Sequence, residues 1–105
     1  MRRKYGNKPT LVDGHMFDSL KEANHYIGLK MRLRAGQISK LEIQPEYLIT
    51  INSIRVCKII PDFRYVENGK VVVSDVKSPI TRKNPVYRLK AKLLKAVHGV
   101  EMVEA

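Results

Sequence analysis

A single α/β domain, ordered αβββαβ around a mixed sheet, is the fold that three observations predict. Apolar residues recur at three- and four-residue steps over residues 20–35 and again over 85–98, the mark of two amphipathic helices. Between them the period drops to two, in stretches rich in β-branched and aromatic residues, and Asn68-Gly69 joins two of these stretches as a hairpin turn. The chain has 105 residues, enough for one domain and too few for two.

Residues 1–12 read as a flexible basic arm: Arg2, Arg3, Lys4 and Lys8 are positive, and Gly6 and Pro9 discourage regular structure. The domain proper is expected over residues 13–105. Asp13-Gly14 marks a turn, between two very short strands at Thr10–Val12 and His15–Phe17. Asp18 and Ser19 are both good N-caps, and Ser19 with Glu22 has the capping-box spacing. Leu20, Ala23, Ile27, Met31 and Ala35 then form the stripe expected to face the core, with Tyr26, Leu29 and Leu33 as a second apolar row. Gly36 ends this helix, and Lys30, Arg32 and Arg34 suit the negative end of its dipole. Gly28 costs about 1 kcal/mol relative to Ala, and it leaves room for a close approach of helix and sheet.

After Gly36, Ile38, Leu41 and Ile43 lead to Gln44-Pro45 and then to Tyr47, Leu48, Ile49 and Ile51. Pro45 cannot donate to a ladder, so it marks an edge or a bend between two strand pieces. Asn52-Ser53 turns the chain into a second long strand, Arg55 to Val66, with Pro61 inside it as a bulge or edge. Lys70 to Lys77 is the third strand, and its Val71-Val72-Val73 run suggests a central strand buried on both faces. Residues 78–85, opened by Ser78-Pro79, are expected to form an irregular loop. Asn84 and Pro85 start a second helix that runs to about His98, with Val86, Leu89, Leu93 and Val97 on its apolar face and Gly99 at its end. Val100, Met102 and Val103 give a short last strand, which a right-handed crossover sets parallel to a neighbour.

Composition narrows the function. Twenty Lys and Arg against ten Asp and Glu leave a net charge of +10, which favours an anionic partner, nucleic acid first. Cys57 is the only cysteine, so neither an internal disulfide nor a cysteine metal site is available, and packing in a strand explains it. No apolar run approaches the ~18 residues of a membrane span. The basic start is followed by no apolar stretch and is not a secretory signal, so an intracellular, reducing location is expected.

The chemistry concentrates on one hairpin. With the turn at Asn68-Gly69, Asp62 falls opposite Asp75, because both pairs of numbers sum to the same value. Two like charges so placed repel unless something compensates them, and a divalent cation does so naturally; oxygen ligands suit Mg²⁺ or Mn²⁺. An exposed acid pair kept apart by a bulge is the plainer alternative. Asp75 and Lys77 share a face of their strand, whereas Val76 points into the core and offers its carbonyl to a metal at the strand edge. Glu22, in the first turn of the first helix, is a candidate third carboxylate, although a capping-box glutamate needs no metal. Gln44, polar within an apolar strand sequence, is a candidate accessory residue.

In order and residue type the chain resembles the PD-(D/E)XK nuclease superfamily, whose αβββαβ, restriction-endonuclease-like core carries an acid on its first helix. Pro61-Asp62 looks like the "PD" half and Asp75-Val76-Lys77 like the "(D/E)XK" half. More closely, the chain is similar to a small phage-borne family of uncharacterised nucleases. The shared features are the Lys4-to-Asn7 start, the Phe17-to-Ala23 helix entry, Gln44-Pro45, Asp62-Phe63 and Asp75-to-Lys77, which together cover nearly the whole chain. The resemblance implies Mg²⁺-dependent hydrolysis of DNA phosphodiesters, with Glu22, Asp62 and Asp75 as metal ligands and Lys77 assisting the nucleophile. It also implies a phage- or prophage-encoded protein acting in the cytoplasm of a bacterial host.

From Lys77 to Lys95 there are seven positive residues and no acid, an expected track for a DNA backbone. Thr81, Arg82 and Lys83 lie just beyond the third strand. Tyr87, Arg88 and Lys92 lie on the second helix, where Tyr87 serves equally as a boundary aromatic. The leading expectation is a structure-selective endonuclease on branched DNA, such as a Holliday junction resolvase. Cutting two strands symmetrically calls for a homodimer, with the row Tyr26, Leu29 and Leu33 or the strand Tyr47–Ile51 as candidate surfaces. The alternatives are a nicking or restriction-like endonuclease on linear duplex and a non-catalytic nucleic-acid-binding protein.

Overall fold

The computed structural model describes residues 8–76 and 84–104. It opens with a hairpin of β1 (Thr10–Val12) and β2 (His15–Phe17). Asp13 and Gly14 between them both take positive φ, 51° and 77°, the mirror-image turn whose twist matches paired strands. The Tyr26 hydroxyl donates to the Asp13 carboxylate at 2.9 Å and ties this hairpin to the first helix.

That helix, α1 (Leu20–Arg34), is capped as the spacing suggests, the Ser19 hydroxyl accepting the Glu22 N–H at 3.1 Å. At its other end the Gly36 N–H reaches the Leu33 carbonyl at 3.1 Å and the Gln37 N–H the Arg32 carbonyl at 2.9 Å, a Schellman ending around the left-handed Gly36. The face turned to the core differs from the expected stripe. Ala23, Tyr26 and Leu29 are buried, with Leu33 packed beside them, whereas Leu20, Ile27 and Met31 are exposed. The aromatic row decides the orientation, because Tyr26 stacks with Phe17 and Phe63 and buries far more area than Ile27 can at the hairpin flank. Tyr26, Leu29 and Leu33 are therefore core and not a dimer surface. Gly28 faces open space, so no close approach depends on it.

After α1 come β3 (Ser39–Ile43), β4 (Tyr47–Ile51), β5 (Ile54–Ile59), β6 (Phe63–Glu67) and β7 (Lys70–Asp75); α2 (Pro85–His98) and β8 (Met102–Glu104) complete the described chain. The main sheet has the order β3-β6-β7-β8. β3, β6 and β7 pair antiparallel, and β8 returns parallel to β7 after α2. The result is a mixed sheet flanked by two helices, as the αβββαβ pattern predicts, with two extra hairpins inserted. One is β1-β2; the other, β4-β5, turns at Asn52-Ser53 and forms its own two-stranded sheet.

The β4-β5 hairpin corrects the expected long strand from Arg55 to Val66. Pro61 lacks a ladder donor, and the strand is cut there: β5 pairs with β4, and β6 joins the main sheet. Pro45 cuts the preceding stretch in the same way, and both prolines are buried. Strands β7 and β8 are also shorter than expected.

Alternation along β7 gives each face of the sheet its own core. Val72 faces α1, in a cluster with Phe17, Ala23, Tyr26, Leu29, Ile38, Phe63 and Tyr65. Val73 faces α2 and the inserted hairpin, with Leu94, Tyr47, Ile49 and Ile59. Val71, next to the turn, is half exposed, so the valine run is buried on both faces only toward its far end. Cys57 is half-buried against the second cluster. Each fully buried side chain here stabilises the fold by about 1.5–3 kcal/mol.

α2 is capped by Asn84, whose side-chain oxygen accepts the Val86 N–H at 2.8 Å, and it ends at the left-handed Gly99. Its expected apolar face is only partly used. Leu94 is fully buried and Leu93 packs beside it, but Val86 (60%) and Leu89 (57%) are exposed. The helix leans on β4 and β8 through the Leu94 side, which leaves the Val86-Leu89 edge uncovered. Among the described residues no helix is long and apolar enough to cross a membrane.

Candidate functional site

The site forms where the β6-β7 ladder ends. Asn68 and Gly69 have φ of 53° and 75°, the tight turn that fixes the register. The pairing runs from Glu67↔Lys70 to Phe63↔Ser74, so Asp62 and Asp75 come next, opposite each other. There the two carboxylates replace the backbone ladder. The Asp62 N–H donates to Asp75 Oδ1 at 3.1 Å, and the Val76 N–H donates to Asp62 Oδ2 at 2.7 Å. Each acid thus satisfies a strand-end donor beside the other.

Neighbouring elements hold this pair in place. The Gln44 N–H donates to the Asp62 carbonyl at 2.8 Å, so the residue after β3 fixes the Asp62 peptide from the other side. Gln44 itself has φ of 51° and an exposed side chain. The contact that the structure shows between Gln44 and the pair runs through its backbone N–H. Asp75 is 4% exposed and Glu22 8%. Two acids with so little water around them make a charge on half-buried Asp62 costly.

Asp62 carries that cost. Burial, a hydrogen bond with the Asp75 carboxyl and the charges of Asp75 and Glu22 push its pKa up to about 8, against the opposing pull of the Val76 N–H. The coupling to Glu22 puts the first turn of α1 within electrostatic reach of the hairpin end. This is a strained acid pair with a third acid nearby and not a closed cage: among the described residues no group of three or more His, Cys, Asp or Glu is arranged to hold a metal ion.

Val76 packs against the α1-side cluster, as its place in the strand requires. Tyr87 is half-buried in the first turn of α2, and Arg88 and Lys92 are exposed one turn apart on a single row. Lys77, Thr81, Arg82 and Lys83, together with residues 1–7 of the basic arm, lie outside the described residues.

One polar contact beside the acids had no signal in the sequence. His25 Nε2 and Ser74 Oγ lie 2.8 Å apart, and they are separated by 49 positions in the chain. Burial, then the charge of Arg32, lowers the His25 pKa.

A mixed sheet between two helices, with a pair of carboxylates where the β6-β7 ladder ends, defines an α/β protein. The chain belongs to the family described as "Protein of unknown function (DUF1064)", whose model matches residues 2–101. No curated protein and no solved structure matches the chain.

Proposed function

We propose that the chain is a Mg²⁺-dependent DNA endonuclease of the PD-(D/E)XK type, acting on branched DNA in the manner of a Holliday junction resolvase. The observation that carries this reading is the reciprocal Asp62–Asp75 pair at the end of the β6-β7 ladder. An acid held in its neutral form up to about pH 8 by burial and by two neighbouring acids is a group that a divalent cation would ionise. The donor set fits: hard carboxylate oxygens suit Mg²⁺, with Mn²⁺ as a substitute, and the strand-end carbonyl of Val76 adds a further oxygen.

Asp62, Asp75 and Glu22 would hold the ion, which supplies a polarised phosphodiester and a more acidic water. Lys77, two residues beyond Asp75, orients the attacking water and offsets the charge growing on the phosphate. Water oxygen bonds to phosphorus, one ester P–O bond breaks, and the departing sugar oxygen takes a proton.

The net charge of +10 supports DNA as the partner. Thr81, Arg82, Lys83, Tyr87, Arg88 and Lys92 are the proposed backbone contacts, with Tyr87 packing at their edge. Two cuts on a junction require two sites, and the uncovered edge of α2, Val86 and Leu89 with Val97, is an apolar stripe that a two-fold axis would pair with itself. The phage or prophage setting and the bacterial cytoplasm rest on the resemblance alone.

The test is cleavage of branched, flapped and linear DNA by wild type and Asp75→Ala, with and without Mg²⁺ or Mn²⁺. Metal-dependent cutting, strongest on four-way junctions and lost in the variant, is expected. Preference for linear duplex would favour a nicking or restriction-like enzyme. Binding without cutting over the whole panel would leave a nucleic-acid-binding protein and sink the enzyme.

A further inference from the structure

The His25–Ser74 contact crosses from α1 to the last turn of the ladder, and the reading above, on which the inference rests, gives it no role. Ser74 is 2% exposed and follows three valines in β7. Its cross-strand partner is Phe63, which lies in the α1-side core, so its hydroxyl faces the helix. A buried hydroxyl without a partner costs about 1–3 kcal/mol, and His25 supplies the partner at 2.8 Å. The His25 ring is itself held against Phe63, with 5.4 Å between ring centroids.

Both ends of this bond adjoin the acids. His25 follows Glu22 by three residues, so the two side chains are neighbours on the helix surface. Ser74 is bonded directly to Asp75. Apolar packing between α1 and the sheet is non-directional and tolerates small slides, whereas a buried hydrogen bond fixes both distance and angle. Mg²⁺ demands near-ideal octahedral geometry, so the gap between a helix carboxylate and a strand carboxylate must be set closely.

We propose that His25 and Ser74 are positioning residues whose hydrogen bond sets the distance between Glu22 on α1 and the Asp62–Asp75 pair, and thereby the affinity of the site for a divalent cation. Outer groups that orient metal ligands typically change affinity 10- to 100-fold when lost.

The experiment titrates Mn²⁺ into the full chain by calorimetry, with thermal melting as the check on folding. The variants are His25→Leu, Ser74→Ala, their double variant, and the conservative His25→Gln and Ser74→Thr. Each disruptive single variant is expected to weaken Mn²⁺ binding about 10-fold or more. The double variant should be no weaker than the worse single, because one bond is being removed. Gln and Thr, which keep a hydrogen-bonding group in place, should restore affinity to within about 3-fold of wild type. If His25→Leu fails to melt cooperatively, Ser74→Ala against Ser74→Thr makes the same comparison with the change of a few atoms. Folded variants that bind Mn²⁺ as wild type does, or losses that add, overturn the positioning role and leave the metal site standing. A wild type that binds no Mn²⁺ overturns the metal site and this role with it.

Discussion

Asp62→Asn isolates the electrostatics of the site without DNA. Burial, the hydrogen bond with the Asp75 carboxyl and the charges of Asp75 and Glu22 raise the Asp62 pKa from 3.8 to about 8. A carboxyl raised in this way keeps its proton in the folded state over a window in which the unfolded chain has lost it. Its contribution to stability is full below about pH 4 and is lost as pH rises through about 8. The whole shift corresponds to roughly 5–6 kcal/mol at 1.36 kcal/mol per pH unit. Asp62 is only half-buried, and screening by solvent reduces this to about 2–3 kcal/mol. Asparagine keeps an oxygen for the Val76 N–H, places an N–H where the shared proton sits, and carries no charge. Urea denaturation in chelator should therefore find Asp62→Asn more stable than wild type by about 2–3 kcal/mol at pH 9, a rise of about 10 °C or more in Tm for a domain of this size. At about pH 3, where Asp62 is protonated in the folded and unfolded chain alike, the two should match. A variant no more stable than wild type at pH 9, or equally stabilised at both pH values, would refute the crowded acid site.

The remaining predictions concern the groups around the pair. Lys77→Ala should keep most DNA binding and lose turnover by about 10²- to 10⁴-fold in single-turnover cleavage; equal losses of binding and rate would contradict a role at the nucleophile. Arg82→Ala with Lys83→Ala should flatten the dependence of log affinity on log salt by about two contacts' worth, and an unchanged slope removes these residues from the footprint. Leu89→Asp should leave a monomer in sedimentation at concentrations where wild type is a dimer, and a wild type that is monomeric throughout contradicts pairing through α2.

How much of this was legible in the sequence follows from which forces are local. The opposition of Asp62 and Asp75 was readable because a two-residue Asn-Gly turn fixes register by backbone geometry alone, and the ladder keeps that register to Phe63↔Ser74. The caps at Ser19, Asn84, Gly36 and Gly99 were readable for the same reason. The inward face of α1 was not. Two apolar rows compete on that helix, and the choice depends on Phe17 and Phe63, which arrive from elsewhere in the chain. Pro61 signalled an interruption, but where the severed piece would pair depended on a partner strand that the alternation pattern does not name. Gln44 was legible as a polar residue near the site, but the left-handed backbone that carries its N–H to the Asp62 carbonyl follows from no local pattern. The His25–Ser74 bond joins residues far apart in sequence, and no local pattern encodes it.

The central claim is that Asp62 and Asp75 hold a divalent cation. Diffraction from crystals soaked in Mn²⁺, measured near the manganese absorption edge, tests it directly. One anomalous peak is expected between the two carboxylates, within about 2.0–2.4 Å of an oxygen of each, with Glu22 or a water-bridged contact to it adding to the shell. Crystals that take up Mn²⁺ elsewhere, while Asp62 and Asp75 keep their reciprocal backbone bonds and show no peak between them, would contradict it.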